Sequence, residues 1–553
     1  MIPDGVDPDT DAPATSVPRL PRRGISDTDL VSVLLVAVLA VLVSVTSQDY
    51  GITWDEPIHF DYGDAVLDYF LSLGGNTRAV SHPDHQYGPV FDLLGSVVRG
   101  MSSWGRIETM RLVNSAIGLV GLVGAWRLAR LVAGDLAGLL ALIGLSLCPL
   151  YYGHMFNNPK DIPFAAGYVW AIYYLQRVAI ALPNVSNGLW VRCALAMALA
   201  TVVRVGGLIV YGFLALGVGW YLLSAIWKGR RIGATRVAGT DLARVFLGSV
   251  ATALTAWAVM VALWPWLHGD PIGRPFAALR SATHYAAPPP SILFDGSPHA
   301  PADVPWTYLP IHFLLQVPEV LLGLAAVGLV VMTGRARSGA LGGGSFAFEA
   351  VLIPLAVLVP PAYSIIAGSR VYDGLRHFLF IIPPLAVLAG VGGSWLWGWT
   401  AGHRWGRTTF IALCAGGALE ALVSMCLLHP YQYVYFNRVS GGFAGAAGRF
   451  ESDYYGMSFR ELNRTMVEHL WRTDRERFVE DEYRLFGCAD GFFFEWQAPS
   501  NFTYARNRDH SLDFFMSYDR HGCNENLSDR PILVDVRRMG RTLSLVRDLR
   551  GSP

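Results

Sequence analysis

Charge is what this chain has little of. Of 553 residues only 16% are Asp, Glu, Lys or Arg, against 52% hydrophobic, whereas a soluble domain carries about 25% charged residues. A chain this long and this poor in charge has too little polar surface to face water on all sides, which excludes a soluble globular protein. Net charge is missing as well. Lys+Arg and Asp+Glu both number 43, a balance that lends no support to a nucleic-acid partner. The six cysteines contain no CxxC spacing, so nothing in them reads as a metal site. Internal repeats and symmetric halves are not evident, and no small-residue cleavage site follows the first apolar run, which therefore reads as an uncleaved signal anchor.

Apolar runs long enough to cross a ~30 Å hydrocarbon slab recur along most of the chain and read as about eleven spans. They centre near Leu35, Ala116, Leu140, Tyr168, Met197, Leu214, Thr255, Ala325, Val357, Pro384 and Gly416. Arg19, Arg22 and Arg23 precede the first, and alternate loops hold Arg127 and Arg130; Arg177 and Arg192; Lys228, Arg230, Arg231, Arg236 and Arg244; Arg335 and Arg337; and Arg404 and Arg407. By the positive-inside pattern these loops and the amino terminus are cytoplasmic, and an odd span count puts the carboxyl terminus outside. The expected protein is a polytopic α-helical one of the cytoplasmic (inner) membrane. It has a disordered leader (1–28), a transmembrane domain (29–430) and a small α+β extracytoplasmic domain (431–553). In that last part, residues 458–471 have helical spacing, and 532–536 and 542–546 flank Met539-Gly540 as a hairpin. Cys488 and Cys523 fall there too, where a disulfide is chemically open to them.

The densest chemistry directly follows the first span, in Trp54-Asp55-Glu56-Pro57. Two adjacent carboxylates at the outer boundary repel each other and are partly desolvated, which raises one of them towards the range useful to a general base. The competing reading is an interfacial turn with a Trp anchor and solvated acids. Residues 154–163 (HMFNNPKDIP) open the fourth span on the same side. There Asp161 is placed to cap the helix, whose positive end, with Lys160 beside it, offers an anion site; a capping Asp and a snorkelling Lys without further role is the plainer account.

Residues 370–384 (RVYDGLRHFLFIIPP) meet the outer end of the tenth span. Charge beside a span is costly, so Arg376 and His377 are expected to face protein or a wet cavity, and Arg204, inside the apolar stretch 198–210, raises the same question. For both arginines a structural ion pair competes with phosphate binding. Residues 82–89 (HPDHQYGP) set His85, Gln86 and Tyr87 before a helix start at Pro89. A divalent metal on His82, His85 and Glu56 is an alternative there to ordinary polar loop residues.

The acidic pair after the first span, the Asn-Pro-Lys-Asp segment opening the fourth and the Arg-His-Phe-Leu-Phe-Ile-Ile-Pro run near the last spans together resemble the C-type glycosyltransferase superfamily. Within it the likeness is to the family 39 protein O-mannosyltransferases and the lipid A aminoarabinose transferases. It covers about residues 30 to 430. The resemblance implies an integral enzyme that moves a hexosyl or pentosyl group from a polyprenyl-phosphate carrier to an envelope glycan, lipid or protein on the outer face. It implies a reaction-centre role for Asp55, with Glu56 as its neighbour. Carrier-phosphate binding falls to Lys160, Arg376 and His377, with Asn158, Asp161, Arg204 and Tyr372 beside them; His85, Gln86 and Tyr87 form an acceptor or loop site. One departure stands out: the His-Pro-Pro motif of many members is reduced to His82-Pro83.

The chemistry agrees with the topology. An outward-facing sugar transferase has no nucleotide sugar at hand and needs a lipid-borne donor, whose leaving phosphate is stabilised by cations and a helix terminus; inversion at the sugar carbon is expected. A flippase of lipid-linked sugars is the alternative, and a non-catalytic scaffold is a third reading that leaves Asp55-Glu56 without a role. The tail is expected to serve the acceptor, with Tyr454, Tyr455 and Trp496 exposed to stack on sugar rings, unless those rings form the small domain's own core.

Overall fold

The structure is a computed structural model that describes residues 26–232, 239–283, 289–338, 348–480, 482–495, 499–505 and 512–550. The leader expected over 1–28, with Arg19, Arg22 and Arg23, therefore lies outside the described residues except at its end, where Ser26 caps the first helix, Asp27–Thr46, in a capping box with Asp29. Arg236 and Trp496 also fall outside them.

Each of the eleven expected span centres sits in a helix. Among the described residues, eight helices are long and apolar enough to cross a membrane. The other three differ for physical reasons. Asp135–Ser146 has 12 residues and Asn187–Thr201 has 15, lengths of about 18 and 22 Å at 1.5 Å per residue, short of the slab. Asp161–Ala181 has the length, with 21 residues, but carries Asp161, Gln176 and Arg177 among its tyrosines.

The helix Ile382–Trp399 is the enclosed centre of the bundle. It begins with Pro383 and Pro384 in its first turn, where a missing amide costs nothing, and packs against Glu319–Ser338, Asp135–Ser146 and Arg106–Ala133. Backbone contact makes this possible: a Cβ on Gly392 would overlap the Leu324 carbonyl, and one on Gly328 the Leu388 carbonyl, so small residues let the helices approach as in other membrane bundles.

Two sheets lie outside the helices. Strands β1 (Ile292–Phe294) and β2 (Ser297–His299) form a hairpin. In the carboxyl-terminal part, β3 (Tyr483–Gly487), β4 (Phe502–Tyr504), β5 (Phe514–Tyr518), β6 (Ile532–Arg538) and β7 (Arg541–Asp548) order as β4-β3-β5-β7-β6. The first three are parallel, and β7 runs antiparallel to β5 and β6. The helix Phe459–Thr473 and the β6–β7 hairpin agree with the sequence reading. A disulfide joins Cys488 and Cys523.

This part is not simply perched in water. Residues 431–458 run back across the ends of the helices, so close that a Cβ on Gly51 would meet the backbone of Met457. Tyr454 and Tyr455, expected to be exposed, are each 1% exposed. The reason is a cluster of rings: His154 Nε2 lies 3.0 Å from the Tyr454 hydroxyl, with the Tyr454 ring stacked on the imidazole and Tyr433 and Tyr455 edge-on to it. These tyrosines are core, not a sugar platform.

Candidate active site

The ends of four elements meet at one partly exposed cluster of charges, the mouth of the site. Asp55 is the residue before the helix Glu56–Leu71, and Pro57 sits in that helix's first turn. Lys160 precedes Asp161–Ala181. Arg204 stands at the break between Asn187–Thr201 and the 3-10 turn Val205–Leu208. Arg376 starts the 3-10 turn Arg376–Ile381 that leads into the central helix. Helix amino termini carry partial positive charge, so their convergence adds to that of the cations.

Asp55 makes no bond to its own helix's amides; its side chain reaches across the mouth instead. Its Oδ2 accepts from Lys160 Nζ at 2.9 Å and Arg376 Nη1 at 3.2 Å. Burial alone would raise its pKa, but Lys160, Arg376 and His59 overturn that and hold the carboxyl well below the usual carboxylate range. Glu56, one residue on, turns the other way. Its Oε2 accepts from the Thr53 amide at 2.7 Å in a pocket where it is 2% exposed. Burial pushes its pKa up to about 7, opposed by Arg111 and the Thr53 bonds.

The expected mutual repulsion is thus a minor cause. Desolvation raises Glu56, while cations lower Asp55. Nor does Trp54 anchor in lipid: its ring packs on Phe493 at 5.0 Å and Tyr518 at 6.2 Å in the carboxyl-terminal part.

The remaining expected residues mostly gather here. Asp161 does not cap its helix, as expected from sequence, because it is the first helical residue; the Asn158 side chain does the capping, its Oδ1 accepting from the Asp161 amide at 3.0 Å. The Asp161 carboxylate pairs with Arg204 and accepts from Asn158 Nδ2 at 2.9 Å. Tyr87 lies between two cations, 5.3 Å from Lys160 Nζ and 5.9 Å from Arg204 Cζ. Arg376 sits against the rings of Tyr372 at 5.1 Å and Tyr455 at 5.4 Å, and the His377 ring is edge-on to Tyr372 at 4.6 Å.

His85 and Gln86 stand further off. The His85 carbonyl accepts from Trp264 Nε1 at 2.9 Å and its ring packs near Trp266; Gln86 is half-buried beside it. The metal alternative does not assemble. His82 Nε2 faces Asp61 at 3.3 Å, His85 Nδ1 faces the His82 carbonyl, and Glu56 faces Thr53. Among the described residues no group of three or more His, Cys, Asp or Glu is placed to hold a metal ion.

Sequence reasoning missed Asp373, Glu451 and Arg520, which surround Arg376 from behind, and His59. The His59 Nδ1 lies 3.2 Å from Asp92 beneath Asp55. Asp373 stands inside a run already singled out, and Glu451 opens the acid- and aromatic-rich Glu-Ser-Asp-Tyr-Tyr stretch, a signal readable as something other than water-facing surface.

A family model described as Dolichyl-phosphate-mannose-protein mannosyltransferase matches residues 89–255. The match takes in Lys160, Asp161 and Arg204 and leaves Asp55 and Arg376 outside. ArnT from Cupriavidus metallidurans bound to undecaprenyl phosphate superposes with a TM-score of 0.50 at 13% identity, covering 95% of this chain and 99% of that one. The chain has a C-type glycosyltransferase-like fold. Two further structures are similar at lower scores. ArnT in the apo state gives 0.48 at 15% identity, over 93% of this chain and 97% of that one. The archaeal oligosaccharyltransferase AglB from Archaeoglobus fulgidus, in complex with an inhibitory peptide and a dolichol-phosphate, gives 0.49 at 12% identity, over 89% and 70%. No curated protein matches by sequence. At these identities the likeness to solved structures is one of fold, and it is that of a multi-pass membrane protein.

Proposed function

We propose that this protein is a glycosyltransferase that moves a sugar from a polyprenyl-phosphate carrier to an envelope acceptor on the extracytoplasmic face, with inversion. The observation that carries the reading is the Asp55 carboxylate held at the mouth by Lys160 and Arg376, with Arg204 on the far side of Tyr87. A carboxylate and three cations at one opening are what the reaction needs. The acceptor oxygen forms a bond to the anomeric carbon, the carbon–oxygen bond to phosphate breaks, and its electron pair leaves with the carrier phosphate. Lys160 and Arg376 stabilise that charge as it develops, and Asp55 takes the acceptor's hydroxyl proton.

The low pKa of Asp55 is compatible with this role. A donor phosphate entering the mouth draws on the same two cations and adds a negative charge beside Asp55, and both effects raise its proton affinity. Donor binding thereby prepares the base. The likeness to ArnT, crystallised with undecaprenyl phosphate, and the mannosyltransferase description of the family match support a lipid-phosphate donor.

The test is mass spectrometry of envelope glycans from cells carrying the wild-type gene, no gene, or Asp55→Asn. The same sugar is expected to be missing in the last two. An Asp55→Asn strain with an unaltered glycan profile overturns the reading.

A further inference from the structure

Behind Arg376 lies a second set of charges for which the transfer reaction has no direct use. The buried Asp373 carboxylate is divided between two arginines, its Oδ2 3.2 Å from Arg376 Nε and its Oδ1 2.7 Å from Arg520 Nη2. Arg520 belongs to the carboxyl-terminal part, two residues past β5, and its side chain is 9% exposed; its Nη1 donates to the Tyr454 carbonyl at 2.6 Å. The backbone around Asp373 is fixed from three directions. The amides of Asp373, Gly374 and Leu375 donate to Glu451 Oε2 at 3.1 Å, the Tyr308 hydroxyl at 2.8 Å and Gln316 Oε1 at 3.0 Å. Asp373 has a φ of 56°, a left-handed conformation that a non-glycine residue keeps only where its surroundings over-determine it.

The division of those two oxygens has a geometric effect. Arginine and carboxylate frequently pair through two parallel N–H···O bonds. Here Arg520 takes Oδ1, Oδ2 meets Arg376 Nε only as an ion pair at 3.2 Å, and Arg376 Nη1 reaches Asp55 at 3.2 Å. We propose that Arg520 is a positioning residue for the donor site: by claiming one oxygen of Asp373, it keeps Arg376 presented at the mouth where the carrier phosphate binds. The inference rests on the donor reading given above. It ties the carboxyl-terminal part to the donor, where the sequence had suggested the acceptor.

The experiment uses the full-length protein in lipid nanodiscs with undecaprenyl phosphate as the probe, together with steady-state transfer. Arg520→Met frees Oδ1 of Asp373 to draw Arg376 back. Donor KM and undecaprenyl phosphate Kd are expected to rise roughly ten- to a hundred-fold, with acceptor KM unmoved and most of the loss recovered in Arg520→Lys. Once Asp373 is neutral, Arg520 has nothing left to divide, so Asp373→Asn and Asp373→Asn/Arg520→Met are expected to bind the probe equally. That pair carries no stranded carboxylate and serves even where Arg520→Met alone does not fold. A further ten-fold loss in the double variant, or an Arg520→Met protein with wild-type donor KM, overturns the positioning role. If the wild type does not bind the probe, or Arg376→Met binds it as well as the wild type, the donor reading itself falls.

Discussion

Asp55 and Glu56 share a peptide bond and differ in almost everything else. One faces a mouth with Lys160 and Arg376 on its oxygen; the other is folded back onto the Thr53 amide in a closed pocket. Cations hold the first ionised, and burial holds the second near the point of protonation. The lesson is that a pair of neighbouring acids is not a chemical unit: the turn that separates their directions decides which is available to a substrate. The mouth is therefore expected to be the reactive region and the pocket the structural one.

The sharpest break of that comparison is Asp55→Asn. Transfer by the purified protein is expected to fall by roughly 10²- to 10⁴-fold, while undecaprenyl phosphate binds at least as tightly, because two cations lose their internal partner. An Asp55→Asn protein that transfers normally, or that loses carrier binding, places the chemistry elsewhere.

Removing a cation comes next. Lys160→Met takes away the largest of the charge interactions that depress Asp55, so its pKa rises. The wild type should show no acid limb from Asp55 in kcat/KM across the mildly acidic range, since a lowered pKa keeps the carboxylate ionised there. In Lys160→Met a limb should enter from the acid side, with activity lost as pH falls, alongside weaker carrier binding. Identical pH profiles for the two proteins would mean that Asp55 does not titrate in the rate-determining step.

Glu56→Gln should do less to transfer, under about ten-fold, and should show in stability. A glutamate near 4.5 when unfolded and about 7 when folded leaves the folded chain holding the extra proton between those values. Its contribution is therefore complete below about pH 4.5 and is lost as pH rises to about 7. Denaturation followed across that window should show a smaller downward slope for Glu56→Gln than for the wild type, and equal slopes would move the raised pKa to another group. Last, Cys488→Ser/Cys523→Ser opens a loop closed across 35 residues. It should lower the thermal midpoint while changing transfer by less than about ten-fold, because Asp55, Lys160, Arg204 and Arg376 lie outside that loop and Arg520, within it, keeps its ion pair with Asp373.

Sequence reached the mouth by a physical route. Arg204 and Arg376 stand out because a cation in apolar surroundings needs a reason, and Lys160 because it lies beside the positive end of a helix; for the arginines an ion pair competes with phosphate binding. The helices were legible from long apolar runs, and the β6–β7 hairpin from alternation around Met539-Gly540. What escaped was long-range. Asp373 and Arg520 are 147 residues apart and Asp373 and Glu451 are 78 apart, and nothing local marks such pairs. Tyr454 and Tyr455 were misjudged because a polar tail suggests exposure, whereas here it supplies the lid of packed rings over the helix ends. Asp161 was misplaced by a single residue, enough to turn a cap into an ion-pair partner for Arg204.

The contact between Asp55 and the two cations has one more consequence. The mouth already contains its own counter-ion, so its two cations are half neutralised from within and an external anion has to compete with a tethered one. Free phosphate, with no lipid chain to add to its grip, meets that rivalry unaided, which favours ligands carrying an acyl or isoprenoid anchor. In the proposed reaction the spent carrier would meet it too: once Asp55 had passed its proton to water, the carboxylate would compete again for Lys160 and Arg376 and help to clear the site for another turnover.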